Sequence, residues 1–263
     1  MMLARGRRAS TLVVQMVVWF LVAKSPVRRT RDWKKLLSFT SNGKPLTSRT
    51  PETLLIHRRR FDKYNQYGVS MADIIQMGAT VATVVCPLGP RIRSFVGRID
   101  SSKPATDNLL PDVFAPADDL IALFERKTIK PHGLTALVGA HTTSQQRNVD
   151  PARALDPQDS TPGVWDVLFY KQTLNSNAPA KIFKFPADVK FSTHPRMADE
   201  WQKFAGHDGQ DHWNDDFAKE YLRLSLLGVN NINNLTECTK VLPRKIDFFL
   251  TPPPSFVDTS LGK

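Results

Sequence analysis

Apolar positions recur at helical spacing along this chain, and they do so mainly after residue 61. Ser70, with Asp73 three residues on, precedes a run of Ile74, Ile75, Met77, Ala79, Val81, Ala82 and Val85. This predicts a strongly apolar helix, because the serine oxygen can satisfy a free N–H at its start. Cys86-Pro87 stops it, since proline lacks the N–H that the next turn needs. Pro116 suits the first turn of a second helix through Leu120, Ile121, Leu123 and Phe124, with Asp118 and Asp119 favouring its N-terminus. Pro131 opens a third, in which Leu134, Leu137 and His141 fall at i, i+3 and i+7 on one face. Further helices are expected over 163–173, 196–205 and 212–227, the last ended by Gly228. Strand-like alternation is scarce, so the expected class is mainly α.

The first sixty residues read differently. Residues 24–60 carry Arg pairs and triplets, Ser/Thr clusters and Pro26, Pro45 and Pro51 without apolar periodicity, the pattern of a linker or irregular segment. They also account for the charge. The chain carries a formal +11, yet residues 1–60 hold fourteen Lys and Arg against Asp32 and Glu52, and the remainder is near neutral. A nucleic-acid partner is therefore not expected, because binding would need a basic, aromatic-lined face on the domain itself. Residues 11–23 form an apolar run behind Arg5, Arg7 and Arg8, the shape of a secretion signal and short for a membrane span. The surroundings of Ala23 lack the small residues that cleavage favours. A tail from 244, with Thr251-Pro-Pro-Pro-Ser, reads as extended. Two cysteines, Cys86 and Cys238, fit one bridge or two thiols equally well.

The candidate chemistry centres on His141. Its neighbourhood, Leu137-Val-Gly-Ala-His-Thr-Thr, resembles the proximal-ligand motif of plant-type heme peroxidases. Val69-Ser-Met-Ala-Asp-Ile-Ile-Gln and Cys86-Pro-Leu-Gly-Pro-Arg…Phe95-Val-Gly-Arg resemble two further segments of that family. Asp159-Ser-Thr-Pro-Gly-Val-Trp-Asp166 is similar to the calcium loop of its secreted fungal branch, and Leu235-Thr-Glu-Cys-Thr-Lys-Val-Leu-Pro to its C-terminal segment. Order and spacing agree over residues 61–243. The resemblance implies heme b held through His141, since a neutral imidazole can bind iron axially and leave the other face open. It implies that Asp188, in Phe183-Lys-Phe-Pro-Ala-Asp188, orients the second nitrogen of that imidazole. It implies Ca²⁺ held by Thr142, Asp159, Thr161, the Val164 carbonyl and Asp166, a hard-oxygen set. The implied protein is a secreted monomer that uses H₂O₂ to oxidise small phenolic donors. Asn234-Leu-Thr236 would be a glycosylation site in a secreted chain.

The pattern breaks at the other half of the active site. Peroxide cleavage needs a distal base and a cation, which the family carries on an "R-x-x-F-H-D-A" helix, and no such motif occurs in these residues. His57 is followed rather than preceded by arginines, and His207-Asp208 reads as surface. Read one frame over with permitted wobble bases, Leu12-Val-Val-Gln-Met-Val-Val-Trp-Phe-Leu21 spells Gly-Gly-Ala-Asp-Gly-Ser-Met-Val-Leu, and the first residues spell Asp-Ala. Both resemble the family's distal motifs. Residues 1–60 are therefore expected to be a shifted-frame reading, which the coding DNA tests. The resemblance pairs the equivalents of Cys86 and Cys238 with N-terminal cysteines absent here, so two thiols are expected. Ala136 stands where lignin-oxidising members place an exposed tryptophan, and Arg147 replaces an acid that manganese-oxidising members use. Neither specialised activity is implied. The expectation is a peroxidase by descent with impaired turnover. The alternatives are a non-catalytic heme- or calcium-binding remnant and a membrane-anchored interaction protein.

Overall fold

A computed structural model describes residues 61–101 and 109–247. The readings made for residues 1–60, including His57, and for the Thr251 tail lie outside these. The architecture is mainly α: α1 Met71–Val85, α2 Ala117–Glu125, α3 Pro131–Val138, α4 Leu168–Leu174, α5 Pro186–Thr193, α6 Ala198–Ala205 and α7 Gly209–Leu226. The one described sheet is a two-residue antiparallel pair, β1 Phe95–Val96 against β2 Thr236–Glu237. Among the described residues no single helix is long and apolar enough to cross a membrane.

Helix starts follow the local signals. Ser70 caps α1, its Oγ accepting the Asp73 N–H at 3.0 Å. The Asp73 carboxylate turns away from the cap and accepts Gly97 N–H at 2.8 Å and the Arg98 guanidinium at 3.1 Å, the Asp73 and Arg98 side chains being buried. That pair fastens α1 to the β1 segment, and the Arg98 side chain also approaches the Ser225 carbonyl at the end of α7. Pro131 and Pro186 each occupy the first turn of their helix. Gly228, at φ +69°, follows the end of α7 as expected.

Three expectations need correction. The helix expected from Gly163 begins at Leu168, because 159–166 is taken up by a loop in which side chains replace helical hydrogen bonds. The helix expected from Arg196 begins at Ala198, and the one expected from His212 begins at Gly209. Helix α5 carries no clear apolar stripe in its sequence (Pro-Ala-Asp-Val-Lys-Phe-Ser-Thr) and was not anticipated.

The core is aromatic. Trp165 and Trp213 stack at 5.0 Å between centroids with an interplanar angle of 9°. Tyr170 meets Trp201 edge-on at 5.0 Å, and Phe204 and Phe217 close the cluster. Burying one such side chain fully contributes about 2–3 kcal/mol. Each polar tip is satisfied: Trp201 Nε1 donates to Tyr170 O at 3.1 Å, Trp165 Nε1 to Asn214 Oδ1 at 3.1 Å, and Trp213 Nε1 to Ala136 O at 2.9 Å. Ala136 itself is fully buried, so this position does not reach solvent here.

Both cysteines are free thiols. Cys86 is buried, its Sγ 3.7 Å from Gly163 O, and burial, reinforced by the Asp166 and Asp159 charges, pushes its thiol up to about 12. Cys238 is only partly buried. A thiol reagent at mildly alkaline pH is expected to modify Cys238 in the native protein and Cys86 only after denaturation, because the thiolate is the reacting form. Peptide mapping checks this; rapid native labelling of Cys86 would contradict it.

Candidate functional site

Helix α3 stops being α-helical at Val138, and Gly139–Thr143 winds on as a tighter 3-10 turn that carries His141. The close approach of Tyr170 and Trp213 explains why Gly139 stands there. A Cβ at Gly139 would lie 2.3 Å from the Tyr170 hydroxyl and 2.5 Å from Trp213 Nε1. Those two groups hold the end of α3, Tyr170 donating to Thr135 O at 2.8 Å and Trp213 to Ala136 O.

His141 Nδ1 lies 2.8 Å from Asp188 Oδ2. The Asp188 side chain is 2% exposed and that of His141 18%. Asp188 sits in the first turn of α5, where the free N–H groups of the helix favour a negative charge. With Nδ1 engaged, Nε2 has no hydrogen bond among the described residues. Phe169 and Phe185 meet the imidazole edge-on at 5.7 and 5.1 Å and restrict its rotation. The pair therefore has the arrangement that an axial metal ligand needs, with one nitrogen locked by a buried carboxylate and the other open.

The residue after His141 leads directly into the second group. Thr142 Oγ1 donates to Asp159 Oδ2 and lies 3.5 Å from Asp166 Oδ1. Thr161 donates its N–H to Asp159 Oδ1 at 2.8 Å and its hydroxyl to Asp166 Oδ2 at 2.9 Å. Leu168 N–H donates to Asp166 Oδ1 at 2.8 Å, and Val164 is buried in the same loop with its N–H on Thr161 O. Four of the five expected residues thus meet through their side chains, and Val164 lies in the same loop. Asp159 is fully buried and Asp166 partly so, and no Lys, Arg or His forms an ion pair with either among the described residues. Burial, with the Asp166 charge beside it, holds the Asp159 carboxyl well above the usual range, and burial also raises Asp166. Two carboxylates ringed by hydroxyls, neither in an ion pair among the described residues, form a donor set that suits a hard cation.

The two groups are mechanically linked. Phe183 N–H donates to Pro157 O at 2.7 Å, so the strand-like approach to α5 hangs on the start of the Asp159 loop. Lys184 Nζ donates to Thr173 O at 3.0 Å and also to Asn175 O, fixing the same approach to the end of α4. His207 is exposed and bonded to its neighbour Asp208 at 2.7 Å, far from His141 in role, as the sequence suggested. A group that the sequence did not single out is His132, His212, Glu200 and Asp216, on the far side of the α3–α7 packing. Only the His212/Asp216 spacing of four residues could have hinted at it.

Comparison with known proteins identifies the family. A family model described as "Peroxidase" matches residues 54–207. The chain is 30% identical over 201 residues to the low-redox potential peroxidase of Taiwanofungus camphoratus, covering 71% of this chain and 57% of the relative. It is 30% identical over 200 residues to ligninase C of Trametes versicolor, covering 69% and 53%. It is 27% identical over 198 residues to a peroxidase of Arthromyces ramosus, covering 68% and 53%. The chain spans just over half the length of these relatives. With the motifs in register and the helical fold around them, the chain belongs to the plant-type heme peroxidase family, among its fungal members.

Proposed function

We propose that this chain provides the proximal half of a secreted heme peroxidase site, in which His141 Nε2 holds the iron of heme b and Asp188 orients His141. The observation that carries this is the 2.8 Å contact between His141 Nδ1 and the buried Asp188 carboxylate. Bound heme would supply the redox chemistry by which H₂O₂ is reduced at the expense of small phenolic donors. This chain's own part is electrostatic and steric. Asp188 accepts a hydrogen bond from Nδ1–H, which fixes the tautomer and enriches the imidazole as an electron donor. Phe169 and Phe185 keep the ring from turning. Thr142, Asp159, Thr161, the Val164 carbonyl and Asp166 would hold Ca²⁺, tying the residue next to His141 to the 159–166 loop.

Turnover is a separate matter from heme capture. No described histidine stands ready as a distal base: His194 is bonded to Asp118 at 3.0 Å, His207 to Asp208, and His132 and His212 face Glu200 and Asp216. We therefore propose slow peroxide turnover by these residues alone. Hemin added to the purified chain is expected to give a five-coordinate, histidine-ligated ferric spectrum. His141→Ala should weaken that binding by about 100-fold, and Asp188→Asn by about 10-fold. A spectrum unchanged in His141→Ala overturns the assignment. Guaiacol oxidation at the rate of a complete peroxidase would overturn the slow-turnover reading and leave the heme ligand standing.

A further inference from the structure

A second cluster of metal-binding side chains lies outside the site just described. His132, in the first turn of α3, presents Nδ1 3.4 Å from Glu200 Oε2 and Nε2 3.1 Å from Asp216 Oδ2. His212, one turn before Asp216 on α7, places Nε2 3.3 Å from Glu200 Oε1 and 3.0 Å from Asp216 Oδ2. One ligand atom each from His132, Glu200 and Asp216 all lie within 4.8 Å of one another. The ring of Phe204, fully buried, floors the group, 6.4 Å from the His132 ring and 5.1 Å from that of His212.

An ionic network of imidazoles and carboxylates would account for these distances if the N–H groups pointed at the oxygens. They do not. Glu200 Oε1 and Asp216 Oδ2 are buried and accept no hydrogen bond, although imidazole nitrogens stand within 3.3 Å of both. Both side chains are about nine-tenths buried, so water does not satisfy the two oxygens instead. Lys203 and Lys219 neutralise the other oxygens, Glu200 Oε2 at 3.1 Å and Asp216 Oδ1 at 3.3 Å, and leave the inner pair aimed at the imidazoles. Glu220 Oε2, one turn further along α7, is likewise buried without a hydrogen bond, but it faces Arg223 Nε at 3.2 Å, a group that cannot ligate a metal. Donors from His132, Glu200 and Asp216 converge, and His212 Nε2 stands within 3.3 Å of both carboxylates; imidazoles and carboxylates meeting without hydrogen-bond alignment are a donor set for a divalent ion.

We propose that His132, His212, Glu200 and Asp216 form a binding site for a divalent ion of borderline softness, of the Zn²⁺ class. Mixed imidazole and carboxylate ligation is what such an ion takes, whereas Ca²⁺ and Mg²⁺ prefer oxygen alone. The ion would staple α3, α6 and α7 together at the helix that leads into His141. Nothing in this depends on heme or on the Asp159 loop.

The test is titration of the full chain, kept in excess Ca²⁺, with Zn²⁺ by calorimetry and with Co²⁺ by absorption. One equivalent of Zn²⁺ is expected, with a Co²⁺ spectrum free of the thiolate charge transfer that Cys238 would produce. His132→Ala/His212→Ala should weaken binding by at least about 100-fold, more than loss of a supporting partner does. Both imidazoles are roughly half exposed, so the variant is expected to fold; if it does not, His212→Gln alone is used and should weaken binding by about 10-fold. Absence of Zn²⁺ binding by the unaltered chain overturns the proposal, and so does affinity unchanged by these substitutions.

Discussion

Chelation of Ca²⁺ at neutral pH is expected to lower the unfolding midpoint of this protein by about 10 °C, equivalent to about 3–4 kcal/mol for an ion present at 100 to 1,000 times its dissociation constant. The reason lies in buried Asp159 and partly buried Asp166, whose hydrogen bonds come from hydroxyl and amide groups rather than from cationic side chains. Their folded-state pKa values are raised, chiefly by burial. A raised carboxyl binds more protons folded than unfolded, so the ion-free protein is favoured at low pH. It loses that stability as pH climbs from the ordinary carboxylate range through the raised folded values. Bound calcium would supply a counter-charge, and its stabilising increment should therefore grow between mildly acidic and neutral pH. Asp159→Asn removes the charge and one ligand oxygen together. It should abolish the response to Ca²⁺ while leaving the chelated protein no less stable at neutral pH than the unaltered chain. Calorimetric scans with and without EGTA at two pH values decide this. A midpoint indifferent to EGTA, or a calcium increment that shrinks with rising pH, would sink the idea.

The second large effect is expected from a single methyl group. Gly139→Ala puts a carbon 2.3 Å from the Tyr170 hydroxyl and 2.5 Å from Trp213 Nε1, both attached to fully buried rings. Neither ring can retreat without abandoning its bond to Thr135 O or Ala136 O. Overpacking of this kind costs about 1–3 kcal/mol, and each buried polar group left unpaired adds about 1–3 kcal/mol. A loss of about 4 kcal/mol, or about 10 °C in midpoint, is the expected sum. Gly163→Ala is the control, since nothing lies within 4 Å of a Cβ there. A Gly139→Ala midpoint close to that of the control would show that the aromatic pair yields more easily than its burial implies.

How much of this was legible beforehand depends on the range of the cause. Helices α1, α2 and α3 announced themselves because Ser70, Pro116 and Pro131 are local signals followed by apolar stripes. Helix α5 did not, since its polar sequence folds through contacts made elsewhere, such as the Lys190 amine on Phe114 O and Ala115 O. Asp188 was reached only through family resemblance, and no periodicity would have joined it to His141, 47 residues earlier. The stripe of Leu134, Leu137 and His141 was read at a uniform 3.6 residues per turn. The tighter turn from Gly139 advances each residue by roughly 20° more than that. His141 is thereby carried off the line of Leu134 and Leu137, which are buried, to a partly open position. The four-ligand cluster was invisible for a similar reason, since it draws on three helices brought together only by the aromatic core.

The buried Asp73–Arg98 pair bears on how the chain is made. Several contacts to α1 and to the segment just after it come from late in the sequence. Tyr221 bonds Gln76, Ser225 receives Arg98, Asn214 reaches Leu88 O, β2 pairs with β1, and Ile246 O accepts Leu88 N–H. During synthesis α1 therefore leaves the ribosome well before these partners exist. Its apolar residues, Ile74, Ala79, Ala82 and Val84 among them, wait uncovered for well over a hundred residues of elongation. A nascent chain in that condition is a natural client for chaperones, and its yield in a foreign host should respond to translation speed more than a protein with local contacts would.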